Sequence, residues 1–344
     1  MDSSKMKVIT LGTTGGPRWW KGDAKDRAGI STAVVVDDRF YLVDAGHGVG
    51  RRVRQSGLDL ADLGGVFITH LHSDHTIDLP SLIVFGMHEL QERVGAPVPL
   101  IGPGRRGELP PVSSRAVTAP EPVAPHNPTP GVSDMFTSIV EAYATDLNDR
   151  VLDSLRPSPE LLFDPRDIEV PAEVGYHPND LPTPDMEPFV VFEDDLVTVS
   201  AILVEHPPIA PAFAFRFDSE FGSVTVSGDT CETANMVRLA QDTDLLLHEA
   251  IDFSWVEDKY SHRTDAEGIA SRDHHYKSHT SVAGAIRIAD AAGARTLALH
   301  HLVPGSADDS VWSRGSEQFT GTFLVPEDLD SLSVTTPANA TIRS

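Results

Sequence analysis

Residues 67–79 read FITHLHSDHTIDL, an apolar run followed by His70, His72, Asp74 and His75 within six positions. A strand-like run favours burial, whereas imidazoles and carboxylates left unpaired beside it are costly to remove from water. Both demands are met if the run is anchored in a core and the polar residues behind it coordinate cations, which offsets their desolvation. The same arrangement recurs along the chain. AILVE leads to His206, TVSG to Asp229, and RTLAL to His300 and His301. Strand ends are where a rigid scaffold can hold such groups in fixed directions. Oxygen and imidazole donors without thiolate suit zinc, with manganese or iron as alternatives.

Other apolar runs complete the framework. KVITLG, STAVVVDD, RFYLVDAG and GGVFITH at the front predict consecutive strands, as do LVTVSAILVEH, AFAFRFD, SVTVSGDT and DTDLLLHEA after residue 190. TSVAGAIRIADAAGA reads as an amphipathic helix before the strand RTLALHHLV. Strands grouped at both ends, with helices between or after them, predict two sheets covered by helices. Of the 26 prolines, 18 fall between Pro97 and Pro188, which marks an insertion at about residues 100–190 lying over the core. Inside it, Phe136, Ile139, Val140, Tyr143, Leu147, Val151 and Leu155 keep near-helical spacing behind Ser133 as N-cap. One helix across the open face of the core is expected there, with Asp146 and Arg150 as a surface pair. No repeat or linker divides the 344 residues, so one domain over 1–344 is expected.

Composition matters for what it excludes. No apolar run approaches the ~18–20 residues of a membrane span, and the N-terminal stretch carries no export signal. A cytoplasmic protein without a membrane partner is expected. The single cysteine, Cys231, excludes an intrachain disulfide and a cysteine-based zinc cluster. A formal net charge of −24 opposes the approach of polyanions, so a small-molecule substrate is expected and nucleic acid is not. A homodimer is left open.

The motifs, in their order, resemble the metallo-β-lactamase superfamily. The residues that carry the resemblance are LGTTGG near the start, YLVDAG at 41–46, THLHSDH at 69–75, His206, SGDT at 227–230 and HHLVP at 300–304. The resemblance implies an α/β fold, an αββα four-layer sandwich of two mixed β-sheets flanked by helices, with the Pro-rich insertion covering the active site. It implies a pair of divalent metal ions, zinc first. His70, His72 and His206 would bind one, and Asp74, His75 and His301 the other. Asp229 would bridge them, and Asp44 would steady the histidines from beneath. His301 is preferred to His300 because HLVP resembles members in which the ligand precedes an apolar residue. LGTTGG reads as a turn at the rim of the site.

Two later motifs, LLLHEA and KSHTS, resemble the branch that contains ribonuclease Z and the zinc-dependent arylsulfatases. There a histidine lies near the leaving group and a glutamate orients it, so His279 and Glu249 join Asp74 as candidate catalytic residues. His262, His274 and His275 read as solvated loop residues. The reaction expected is hydrolysis of a small ester-type substrate, a carboxylic ester or lactone, a sulfate ester or a phosphodiester, by metal-bound hydroxide. The alternatives are a tRNA 3′-processing nuclease and an iron-dependent oxygenase in the same fold. The nuclease ranks second because only 22 residues separate His206 from Asp229, too few for the arm with which that family grips tRNA.

Overall fold

A computed structural model describes residues 5–334 apart from 23, 24, 92 and 94, so part of the N-terminal stretch from which export was excluded lies outside the described residues. The front of the chain supplies strands β1 (Met6–Gly12), β2 (Ser31–Val36), β3 (Arg39–Val43), β4 (Leu63–Phe67), β5 (Val98–Pro103) and β6 (Phe163–Ile168). The rear supplies β7 (Phe189–Glu193), β8 (Thr198–Leu203), β9 (Phe213–Ser219), β10 (Gly222–Val226), β11 (Leu245–Ile251), β12 (Thr296–Val303), β13 (Thr322–Leu324) and β14 (Ser331–Ser333). They form two seven-stranded sheets, ordered β14-β1-β2-β3-β4-β5-β6 and β13-β12-β11-β10-β9-β8-β7.

The helices are α1 (Val49–Gln55), α2 (Ser73–Thr76), α3 (Leu79–Glu89), α4 (Val132–Ala142), α5 (Ala144–Leu152), α6 (Pro159–Leu162), α7 (Ala234–Leu239), α8 (Phe253–Tyr260), α9 (Ala266–Ser278), α10 (Val282–Ala292) and α11 (Asp309–Trp312).

Alternation along the strands explains the layering. Val34, Val36, Tyr41, Val43 and Phe67 point between the sheets, where they meet Ala201, Phe213, Phe215 and Phe217 of the second sheet. Their neighbours Ala33, Val35, Phe40, Leu42 and Val66 point outward and are covered by Val49 and Val53 of α1, Leu82 and Ile83 of α3, and Phe136 of α4. Strands buried on both faces read as continuous apolar runs, which is why STAVVV and RFYLV carry almost no polar positions. Phe67 sits at the centre, edge-on to Phe192, Phe215 and Phe217 with ring centroids 5.2–5.6 Å apart. This is the αββα sandwich of mixed sheets that the motifs implied.

Parallel pairing of β3 through β6, and of β10 through β13, brings several strand carboxyl ends to one edge of each sheet. The strand-end residues singled out from the sequence lie there.

The insertion differs from its sequence reading. The expected single helix is two, α4 and α5, which meet at Tyr143. The N-cap is Gly131 rather than Ser133: the Asp134 carboxylate accepts the Gly131 amide (3.1 Å) and Asp167 accepts the Ser133 amide (2.9 Å), so acids satisfy the donors a serine cap would have served. Leu155 lies beyond α5 with φ of 54° and its side chain exposed, so it extends no helical face. The apolar face of α4 packs on the outside of the first sheet, away from the sheet-to-sheet core, because Phe136 and Ile139 meet Phe163 there. Asp146 and Arg150 do form the surface pair (2.8 Å).

Candidate metal centre

Five segments converge at the strand ends. The loop after β4 and the short α2 bring His70, His72, Asp74 and His75; the segment after β8 brings His206; the turn after β10 brings Asp229; β12 brings His301. Two donor groups result. Nε2 of His70 and Nε2 of His206 lie 3.0 and 3.1 Å from Nδ1 of His72. Nε2 of His301 lies 3.2 Å from carboxylate oxygens of both Asp74 and Asp229, and Nε2 of His75 lies 3.4 Å from Asp229 and 3.7 Å from Asp74. Tetrahedral coordination with metal–nitrogen bonds of 2.0–2.1 Å places ligand atoms ~3.3 Å apart, so both groups have the spacing of ligands around an ion. Asp229 faces both, since its other oxygen is 3.9 Å from His70 and 3.7 Å from His206.

Hydrogen bonds behind the site fix which nitrogen of each ring faces inward. Asp44 is buried, with φ of 61°. Its carboxylate accepts Nδ1–H of His75 (2.7 Å), the Thr69 amide (2.8 Å) and the Thr69 hydroxyl (2.9 Å). Because that hydroxyl spends its proton on Asp44, its lone pair is left to accept Nδ1–H of His70 (3.1 Å). One carboxylate thereby orients a histidine of each donor group. Nδ1 of His206 donates to the Ser278 carbonyl (2.7 Å). In all three rings Nε2 is the nitrogen turned inward, which is the arrangement a metal ligand needs. Nε2 of His75 and Oδ1 of Asp229 are buried and find no hydrogen-bond partner among the described residues, which costs free energy unless a cation satisfies them.

The charge balance agrees for His70 and His206, while the carboxylates around His75 draw in positive charge. Burial, joined by His75 and His72 beside His70 and by His279 and His72 beside His206, holds these two rings well below the usual histidine range and so neutral. Burial opposes a proton on His75 too, but Asp229, Asp44 and Asp74 around it outweigh that and raise it.

His301, with φ of 47°, enters the site, whereas both ring nitrogens of the buried His300 lie outside it and lack hydrogen-bond partners among the described residues. A register shift between Glu249 and Ala250 against β12 accompanies this turn. Gly15 makes the ring's position possible, because a Cβ there would lie 2.2 Å from His301 Cε1. The LGTTGG turn does form the rim, with the Gly16 amide donating to Asp74 (2.8 Å). Nδ1 of His279 donates to Glu249 (3.0 Å), whose carboxylate also accepts the Thr230 amide (2.9 Å). Burial works against protonation of His279, but the Glu249 carboxylate outweighs it and raises the ring to about 9.

His274 and His275 are not in a solvated loop. They lie on α9, which forms one wall of a 490 Å³ cleft above the donors together with Tyr260 and Arg18. Burial and the neighbouring His279 push His274 down to about 3, so it is neutral. The helix had a signal in the sequence: Asp265 caps it by accepting the Gly268 amide (3.2 Å). His262, by contrast, is exposed.

Comparison with known proteins adds to this geometry. Residues 21–98 match the family model described as anti-Pycsar protein Apyc1. The chain is 27% identical to a ribonuclease Z of Mycobacterium bovis (strain BCG / Pasteur 1173P2) over 332 residues, 96% of this chain and 99% of that relative. The short form of human tRNase Z superposes with a TM-score of 0.61 at 19% identity, covering 96% of this chain and all of the other. The metallo-β-lactamase fold protein YhfI from Bacillus subtilis gives 0.58 at 18% identity, covering 95% and 98%. Fold and site define a metal-dependent hydrolase of the metallo-β-lactamase superfamily. Within it the chain is similar from end to end to ribonuclease Z.

The expectation that nucleic acid is no partner is corrected by this finding, since a relative matched from end to end is a ribonuclease by name. The net charge misleads because exposed charges are screened beyond about 8–10 Å. The field in the cleft depends on the groups that line it, and the cation Arg18 is one of them. Among the described residues, no helix is long and apolar enough to cross a membrane.

Proposed function

We propose that the chain hydrolyses phosphodiester bonds in RNA, and that removal of 3′ trailers from tRNA precursors is its reaction. The end-to-end similarity to ribonuclease Z carries this reading. In it, His70, His72 and His206 would hold one divalent ion and Asp74, His75 and His301 a second, with Asp229 facing both groups and zinc suited to the donor set. Such ions, when bound, would neutralise phosphate charge and lower the pKa of a coordinated water to about 7. The protein's own residues do the rest. Asp74, fixed by the Gly16 amide, orients the attacking water. His279 keeps Nδ1–H on Glu249 and gives the proton on Nε2 to the departing oxygen. Buried Glu249 is anchored by the Thr230 amide, so the ring it orients cannot swing freely.

One observation favours a second reading, a small phosphodiester substrate. Between His206 and Asp229 the chain forms only the β9–β10 hairpin, which leaves no segment to reach along a tRNA. A precursor tRNA with a 3′ trailer and a chromogenic phosphodiester, each given to the metal-loaded protein across a salt series, separate the two. Efficient trailer release supports the first reading. Intact precursor beside rapid turnover of the small ester replaces it with the second.

A further inference from the structure

Beside the cleft lies a second cavity of about 240 Å³ that the chemistry above does not use. The two share a wall, for Gly16, Pro17, Arg18, Ser73 and Asp74 line both. A group in the small cavity is therefore joined, past Arg18 and Asp74, to whatever occupies the cleft. Its outer lining is apolar and exposed: Trp19 is 86% accessible and Ile77 55%. Large apolar side chains left open at a cavity mouth are the feature that marks a binding surface.

The loop that carries Trp19 is held firmly by its neighbour. Trp20 donates Nε1–H to the Gly15 carbonyl (2.9 Å) and packs edge-on against Trp255, centroids 5.5 Å apart. Among the described residues Trp19 has no such partner. The Arg18 guanidinium stands 5.2 Å over the Trp20 ring and makes no hydrogen bond or ion pair among the described residues, so its donors are open at the seam between the cavities. His47 lines the far side. Its Nδ1 accepts the Gly29 amide (2.8 Å), which keeps the ring proton of the neutral form on Nε2.

We propose that this cavity is a nucleobase subsite. Trp19 stacks on the base and Ile77 supports it, His47 offers a polar contact to its edge, and Arg18 binds a phosphate of the same nucleotide where the cavity meets the cleft. Every base has a π-face, so a tryptophan platform accepts any of them, and a free guanidinium beside it matches a phosphate. The inference rests on the phosphodiesterase reading for the substrate's chemistry but is testable without turnover.

Titration of the metal-loaded protein with uridine 5′-monophosphate, adenosine 5′-monophosphate, ribose 5-phosphate and butyl phosphate, followed by calorimetry, isolates the base. Both nucleotides should bind about tenfold to a hundredfold more tightly than ribose 5-phosphate, the range that base–aromatic stacking supplies. Trp19→Ala should remove that preference and leave ribose 5-phosphate unaffected, while Arg18→Ala should weaken all four phosphates alike. Equal binding of nucleotide and ribose 5-phosphate, butyl phosphate binding as tightly as the nucleotides, or a preference that survives Trp19→Ala would overturn the subsite. If the nucleotide preference holds while RNA is not cleaved, the RNA reading fails and the subsite stands.

Discussion

Asp44→Asn should weaken metal binding at both donor groups, although Asp44 itself is a donor in neither. The carboxylate offers two oxygens to three donors: Oδ1 to the Thr69 amide, Oδ2 to the Thr69 hydroxyl and to His75 at 2.7 Å. An amide keeps one accepting oxygen and turns an NH₂ toward whichever donors lose theirs. Asparagine adopts positive φ readily, so the 61° backbone is not strained and the effect is confined to hydrogen bonding. Either His75 loses its orienting partner or Thr69 does, and Thr69 positions His70. Loss of such a partner typically costs 10–100-fold in metal affinity, about 1.4–2.7 kcal/mol. The assay is competition against a chelating dye, with thermal melting of the metal-free protein as a control for folding. Metal affinity equal to wild type in a variant that folds normally would refute the orienting role.

Three further outcomes follow from particular contacts. Gly15→Ala should displace the His301 ring, which a Cβ would meet at 2.2–2.4 Å, and elemental analysis should show metal lost from the Asp74, His75 and His301 group before the other. His279→Ala should keep its metals and lose ~10²–10⁴-fold in kcat, with the loss shrinking across a leaving-group series as the departing oxygen becomes less basic; a uniform loss would assign His279 another task. Phe67→Ala removes the ring at the meeting point of Phe192, Phe215 and Phe217 and should destabilise the metal-free protein by about 3–5 kcal/mol in urea denaturation.

Much of this was legible in the sequence where local pattern and tertiary role coincide. The run before His70 announces a buried strand, and because β-strands ending at one sheet edge present their next residues together, His206 and Asp229 could be grouped with it. His300 and His301 show the limit. Alternation sends neighbours to opposite faces, so composition cannot choose between them; the positive φ at His301 and the shift against β11 do. The helix break at Tyr143 was hidden because the apolar spacing runs on through it while the packing surface does not. His274 and His275 looked solvated because α9 is polar along most of its length, and only the Asp265 cap betrays it. Thr69 was invisible as a positioning residue, since a threonine at a strand end has many ordinary uses. The charge of −24 was readable but was asked a question that only the lining of the cleft answers.

If seven side chains hold two ions that share Asp229, metal content against chain concentration is the most direct measure of it. Protein loaded with zinc, freed of excess metal and assayed by elemental analysis should carry about two equivalents per chain, the complement of a paired site. Asp229→Ala should lower occupancy of both. One equivalent or fewer in the wild-type protein, or two retained by Asp229→Ala, would contradict the shared centre.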